Sequence, residues 1–251
     1  MAGTAGGRSY RLVLWNIDLT LMDVARISRE AYADAFSRVT GRPLVALPQM
    51  AGRTDSEIFF ESLALNAVAS GPEQAGDQEL LARYIGVLGD AFSARRELLP
   101  RNGRLLPGAA AAVEAAAGLP GAVQSVLTGT IRPNAALKLQ AFGLAQFFDL
   151  DIGGYGSEVY PKGAELLRSR GRAAQKYGAE FGQQATVYLA DSHRDVEAAA
   201  MGGAGCIAVA SGRSTEADLR EAGADLVISD LSDTAAVVAA IDALTTPAAT
   251  G

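Results

Sequence analysis

From Pro107-Gly108 onward, short apolar runs alternate with amphipathic or alanine-rich stretches, and this alternation constrains the fold more than any other feature of the chain. Val123–Leu127, Leu150–Ile152, Thr186–Ala190, Cys206–Val209 and Leu226–Ile228 read as strands. Ala109–Ala117, Arg132–Phe142, Glu165–Tyr177, Asp195–Met201, Thr215–Ala222 and Ala235–Leu244 read as the helices around them. Strands separated by helices at this spacing pair in parallel and are covered on both faces. The expectation is an α/β fold, a Rossmann-like three-layer core built on a parallel sheet. The tail Thr245–Gly251 is expected to fray.

A further strand stands near the start. Leu12-Val13-Leu14-Trp15 is apolar, and polar residues follow abruptly as Asn16, Asp18, Thr20 and Asp23. In open α/β sheets ligands bind beyond the carboxyl ends of the strands, so these side chains are expected to face a crevice. On extended backbone Asn16 and Asp18, two apart, point the same way.

Between this strand and Pro107 no strand is evident. Tyr32, Phe36 and Val39 fall at helical spacing in 28–40, which Gly41 closes. Thr54 or Asp55 can cap a second helix carrying Ile58, Phe59, Leu63 and Leu65. A third covers about 77–98. Residues 24–100 therefore read as a helical insert, with 1–23 and 101–251 forming the core.

Other strand ends carry candidate chemistry. Thr128-Gly129 ends VQSVLTGT, where a hydroxyl and the following backbone N–H groups can donate to a phosphate oxygen, or merely end a strand. TVYLADSHRD ends a strand in Asp191 and Asp195. One or two carboxylates plus a substrate phosphate suffice for magnesium, although Asp and Ser are also common helix caps. Lys162, in YPKGAELL, lies between a proline and a helix, a place that also suits a solvated lysine.

In order, these four motifs resemble those of the haloacid dehalogenase (HAD) superfamily, phosphoglycolate-phosphatase-like members in particular. The resemblance covers nearly the whole chain after residue 10. Asp18, Thr20 and Asp23 match the first motif, with Leu19 where glycine is usual and Asn16 at the position of the nucleophilic aspartate. Thr128 matches the second motif, Lys162 the cation of the third, and Asp191 with Asp195 the paired acids of the fourth. The resemblance implies that the insert is a helical cap domain. It also implies a Mg2+ site of Asn16, Asp18 and Asp191, with Thr20 and Asp195 in support. Thr128, Gly129 and Arg53 would bind the substrate, Arg53 from a cap loop, although a helix-capping or solvated role fits Arg53 equally.

The implied activity is hydrolysis of a small phosphorylated metabolite. The family's first aspartate attacks phosphorus to give an aspartyl-phosphate, and the acid two residues later, here Asp18, serves the leaving oxygen and then water. An amide is a far weaker nucleophile than a carboxylate. Three readings follow: an inactivated phosphatase, a sensor or accessory protein that binds phosphate esters without turnover, or an enzyme using another nucleophile such as activated water.

Composition limits the alternatives. The formal charge of −6, without long Lys/Arg runs, argues against nucleic-acid or anionic-membrane partners. No apolar stretch reaches the ~20 residues of a membrane span. The lead-in MAGTAGGRSY has no apolar core for a signal peptide and reads as disordered, so cytoplasmic residence as a monomer or homodimer is expected. Cys206, the one cysteine, reads as a packing residue, and His193, the one histidine, as a solvent-facing side chain or one at the pocket mouth.

Overall fold

A computed structural model describes residues 9–68, 74–157 and 161–249, so the expected lead-in 1–8 lies outside the described residues. In chain order the strand β1 (Ser9–Trp15) leads into β2 (Met22–Asp23) and the helices α1 (Ala25–Thr40), α2 (Asp55–Leu65), α3 (Gln74–Ser93) and α4 (Leu99–Asn102). The core resumes with β3 (Arg104–Leu105), α5 (Ala109–Ala117), β4 (Ala122–Val126), α6 (Arg132–Ala141), α7 (Lys162–Tyr177) and β5 (Thr186–Ala190). It ends with α8 (His193–Gly202), β6 (Gly205–Val209), α9 (Glu216–Glu221), β7 (Leu226–Ile228), α10 (Thr234–Leu244) and β8 (Ala248–Ala249).

The main sheet runs β4-β1-β5-β6-β7, all parallel, with β1 central between β4 and β5. Because side chains alternate along a strand, β1 feeds two apolar layers. Val13 and Trp15 join one buried cluster, Leu12 and Leu14 the other. This is why β1 reads as an unbroken apolar run rather than an alternating one. The indole Nε1 of Trp15 donates to Gln124 Oε1 on β4 at 2.8 Å, so the largest side chain of the strand leaves no buried donor unpaired.

The helical insert lies between β2 and β3, which pair antiparallel as a small two-stranded ladder that no local pattern predicts. Gly41 closes α1 with φ +71°, and Thr54 starts α2 with a capping box to Glu57. The third expected helix is broken: α3 ends at Ser93, Arg96–Leu98 forms a 3-10 turn, and α4 begins at Leu99 with Pro100 in its first turn. A proline lacks the N–H that a continuous helix requires and favours a first turn instead.

Two further expectations are corrected. Leu150–Ile152 is not a strand. Asp149 N donates to Gln124 O at 2.8 Å as in a ladder, but the Asp149 carboxylate accepts from Asp151 N at 3.1 Å and bends the chain into a turn. The tail does not fray along its length: Ala248–Ala249 pairs antiparallel with Ser9–Tyr10, and Arg11 Nη1 donates to Thr245 Oγ1 at 3.0 Å. Residues 250 and 251 lie outside the described residues.

Candidate active site

At the end of β1 the chain turns sharply. Leu21 and Met22 both donate their N–H groups to the Ile17 carbonyl, and Leu19 N donates to Met22 O. The turn holds Leu19 at φ +61°, a left-handed conformation that costs a side-chain-bearing residue roughly 1–2 kcal/mol. Glycine, usual at this position in the resembling motif, would avoid that cost. The Leu19 carbonyl is fixed by Ser211 Oγ at 2.7 Å.

This turn separates Asn16 from Asp18, which do not share partners as two side chains of a straight strand would. The Asn16 amide nitrogen Nδ2 donates to the Asp18 backbone carbonyl at 2.9 Å, to Asp191 Oδ1 at 2.9 Å and towards Thr20 Oγ1 at 3.2 Å. Its oxygen accepts from Lys162 Nζ at 3.3 Å. An ammonium group only donates and a carbonyl only accepts, so these partners fix which end of the amide is oxygen.

Lys162, the first residue of α7, reaches back under the sheet end and also donates to Asp195 Oδ1 at 2.5 Å. Asp195 is fully buried and satisfied by Lys162, by Tyr188 Oη at 2.8 Å and by Ser192 Oγ. Asp191, beyond β5, accepts from Asn16 and from Thr20 Oγ1 at 2.8 Å. Burial first, and then the charge of Asp195, push the Asp191 carboxyl above the usual carboxylate range. Gly212 presses against its second oxygen, leaving no space there for any side chain.

Asp18 is directed elsewhere, by residues that sequence reasoning missed. Its carboxylate accepts from Lys138 Nζ at 2.7 and 2.9 Å and from Thr130 Oγ1 at 2.9 Å, while Lys138 also donates to Thr130. Lys138 is only 1% exposed and lies 5.2 Å from the Phe92 ring centroid, between core and cap. The signal was available: Asn134, Ala135, Lys138 and Leu139 share one face of α6, and all are buried.

Asn16, Asp18, Thr128, Gly129, Lys162 and Asp191 line one cleft, with Leu19, Asp23, Tyr32, Arg53 and Asp55 also on its walls. Thr20 and Asp195 stand behind, bonded to Asp191 and Lys162 respectively. Tyr32 and Asp55 were also missed. Both are cap residues, joined by a 2.6 Å hydrogen bond from the phenol, and the second Asp55 oxygen accepts from Ile131 N of the core at 2.8 Å. Arg53 reaches the cleft, but its guanidinium is paired with Glu61 of the cap itself. His193 is exposed and Cys206 buried, the latter with its thiol pushed upward by burial.

Among the described residues no three His, Cys, Asp or Glu side chains come together as metal ligands. The oxygen set at the strand end is different: one Asp191 carboxylate oxygen, the Asp18 carbonyl and the Thr20 hydroxyl converge on the Asn16 nitrogen. Hard oxygens of this kind suit magnesium, and the amide N–H groups occupy the position that such a cation would take. The donor set therefore fits the cation, with Asn16 as its internal competitor.

The family profile of haloacid dehalogenase-like hydrolases matches residues 13–200, and a second, HAD-hydrolase-like profile matches residues 169–234. No curated protein matches. Among solved structures, a "predicted phosphatase" from Clostridium acetobutylicum superposes with a TM-score of 0.67 at 18% identity, covering 92% of this chain and 99% of the other. A hydrolase from Pseudomonas syringae gives 0.63 at 17%, covering 94% and 100%. A HAD hydrolase of family IA, variant 3, from Entamoeba histolytica gives 0.63 at 18%, covering 92% and 99%. Identities this low speak for the fold alone. Among the described residues no helix is long and apolar enough to cross a membrane. With the profile spanning most of the chain and the sheet, insert and strand-end residues in the matching order, the chain belongs to the haloacid dehalogenase-like hydrolase family.

Proposed function

We propose that the cleft is a phosphate-monoester site of the HAD-phosphatase type, for a small phosphorylated metabolite, whose hydrolytic step is arrested at Asn16. The observation that carries this reading is the Asn16 amide: at the nucleophile's place it spends its nitrogen on Asp191 and Asp18, and its oxygen on Lys162. The other parts remain. Thr128 and the backbone of Gly129 line the same cleft as Asn16 and can donate to phosphate oxygens. Lys162 brings the cation. Asp18, held in direction by Lys138 and Thr130, stands where the family's acid/base acts on the leaving oxygen.

Asp191, the Asp18 carbonyl and the side chain at position 16 would hold Mg2+, which the family generally uses and which would neutralise charge on the phosphoryl group. Arg53 stands on the cleft wall beside Glu61, where it can meet the ester from the insert. Membership of a hydrolase family supports a hydrolytic reaction class.

Asn16→Asp is the test. It restores a carboxylate beside Lys162 and Asp191. The expected result is magnesium-dependent hydrolysis of at least one phosphate ester in a metabolite panel, with a rate at least about 10³-fold above the unmodified chain and a trappable aspartyl-phosphate. A folded Asn16→Asp protein that binds esters and magnesium yet hydrolyses none would leave the second reading, a phosphate-ester sensor. Ordinary turnover of ~1–10³ s⁻¹ by the unmodified chain would overturn the arrest at Asn16.

A further inference from the structure

We infer that Asn16 makes uptake of a divalent cation conditional on an oxyanion at Lys162, so that the two bind together and each binds poorly alone. The inference rests on the phosphate-ester reading of the cleft and deepens it.

The amide is locked at both ends. Its nitrogen faces the Asp18 carbonyl and Asp191 Oδ1, each at 2.9 Å, and its oxygen faces the Lys162 ammonium at 3.3 Å. To present oxygen to a cation, the amide must turn over. Its nitrogen then faces the ammonium, donor against donor, in surroundings where Asn16 and Lys162 are 6% and 7% exposed. Such a mismatch is costly where water cannot repair it. Asp195 holds Lys162 from the other side but does nothing for the turned amide nitrogen.

An oxyanion in the cleft removes the mismatch. One of its oxygens accepts from Lys162 and from the turned Nδ2, which frees Oδ1 for a cation beside Asp191 and the Asp18 carbonyl. The anion alone fares badly. With the amide unturned it meets the Asn16 oxygen, and the carboxyl side chains of Asp55 and Asp191 line the cleft beside Asp18 and Asp23, which Lys138 and Arg104 pair. Arg53 is already paired with Glu61. Of the ligand-bound states, only the one with both ligands matches every amide atom with a complementary neighbour, as the unliganded protein does.

The test is calorimetric titration of the full chain with Mg2+ alone, with inorganic phosphate alone, and with each in saturating amounts of the other. In the unmodified protein each ligand should raise the affinity of the other at least ten-fold, and by the same factor in both directions, as linkage requires. Asn16→Ala and Asn16→Ser remove the amide from the oxygen set without adding charge, so either, if folded by its melting curve, should bind Mg2+ alone more tightly than the unmodified chain. A ligand deletion that improves cation binding is not expected of an ordinary metal ligand. The inference is overturned if the unmodified chain binds Mg2+ equally with and without phosphate, or if the folded variants bind Mg2+ alone no better than it does. If the unmodified chain takes up neither ligand even from the mixture, the inference also falls. The phosphate-ester reading falls with it only if Asn16→Asp takes up neither as well.

Discussion

At Asp55 burial and hydrogen bonding oppose one another. Burial, the larger influence, pushes the carboxyl from 3.8 to about 6. The Tyr32 hydroxyl, the Lys138 charge and the Ile131 N–H favour the carboxylate, and Asp18 disfavours it. A carboxyl whose folded value lies above its unfolded one binds its proton more tightly when folded. Its contribution to stability is therefore fully present below about pH 4 and lost as the pH rises through about 6, a change on the order of 3 kcal/mol. Asp55→Asn keeps an oxygen for Ile131 N and puts a donor towards Tyr32. Denaturant midpoints measured from pH 4 to 8 should show this variant gaining on the parent as the pH rises, with the difference levelling off above pH 7. A difference that stays flat across that range would mean that Asp55 is ionised alike in the folded and unfolded chain.

Between elements, the start of α2 is fastened to the core through backbone rather than side chains alone. Asp55 N donates to Gly129 O at 2.7 Å and Ser56 N to Gly156 O at 3.2 Å. The approach is so close that a Cβ at Gly129 would run into the Arg53 carbonyl, and one at Gly156 into the Gly129 carbonyl. Glycine is needed at both places for contact distance. Gly129→Ala should lower unfolding free energy by about 1–3 kcal/mol, as overpacking of a close contact does. Gly171→Ala, within α7 and with nothing near its Cβ position, should instead raise it by about 0.5–1 kcal/mol. Chemical denaturation of the two variants checks the contrast. Equal effects would show that the cap yields to the added methyl group without cost.

Across the molecule, cap and core share one apolar cluster. Val13, Trp15 and Ile17 of the core belong to it together with Phe36, Phe59, Tyr84 and Phe92 of the cap. Urea unfolding followed by fluorescence of Trp15, the one tryptophan, should therefore coincide with that followed by far-UV circular dichroism. A separate earlier loss of helix would show that the cap unfolds alone. The alternation of strand and helix after Pro107 determined the parallel sheet, because periodicity in hydrophobicity reports which faces are buried. The polar residues after β1, β4 and β5 likewise marked one end of that sheet as the place for Asn16, Thr128 and Asp191. Tertiary structure alone decided where their atoms point. The turn at Leu19 divides Asn16 from Asp18, Lys138 claims Asp18 from a helix 120 residues away, and Glu61 takes Arg53. Local sequence signals burial and backbone preference, whereas a buried charge goes to whichever partner the packing of distant elements brings within reach.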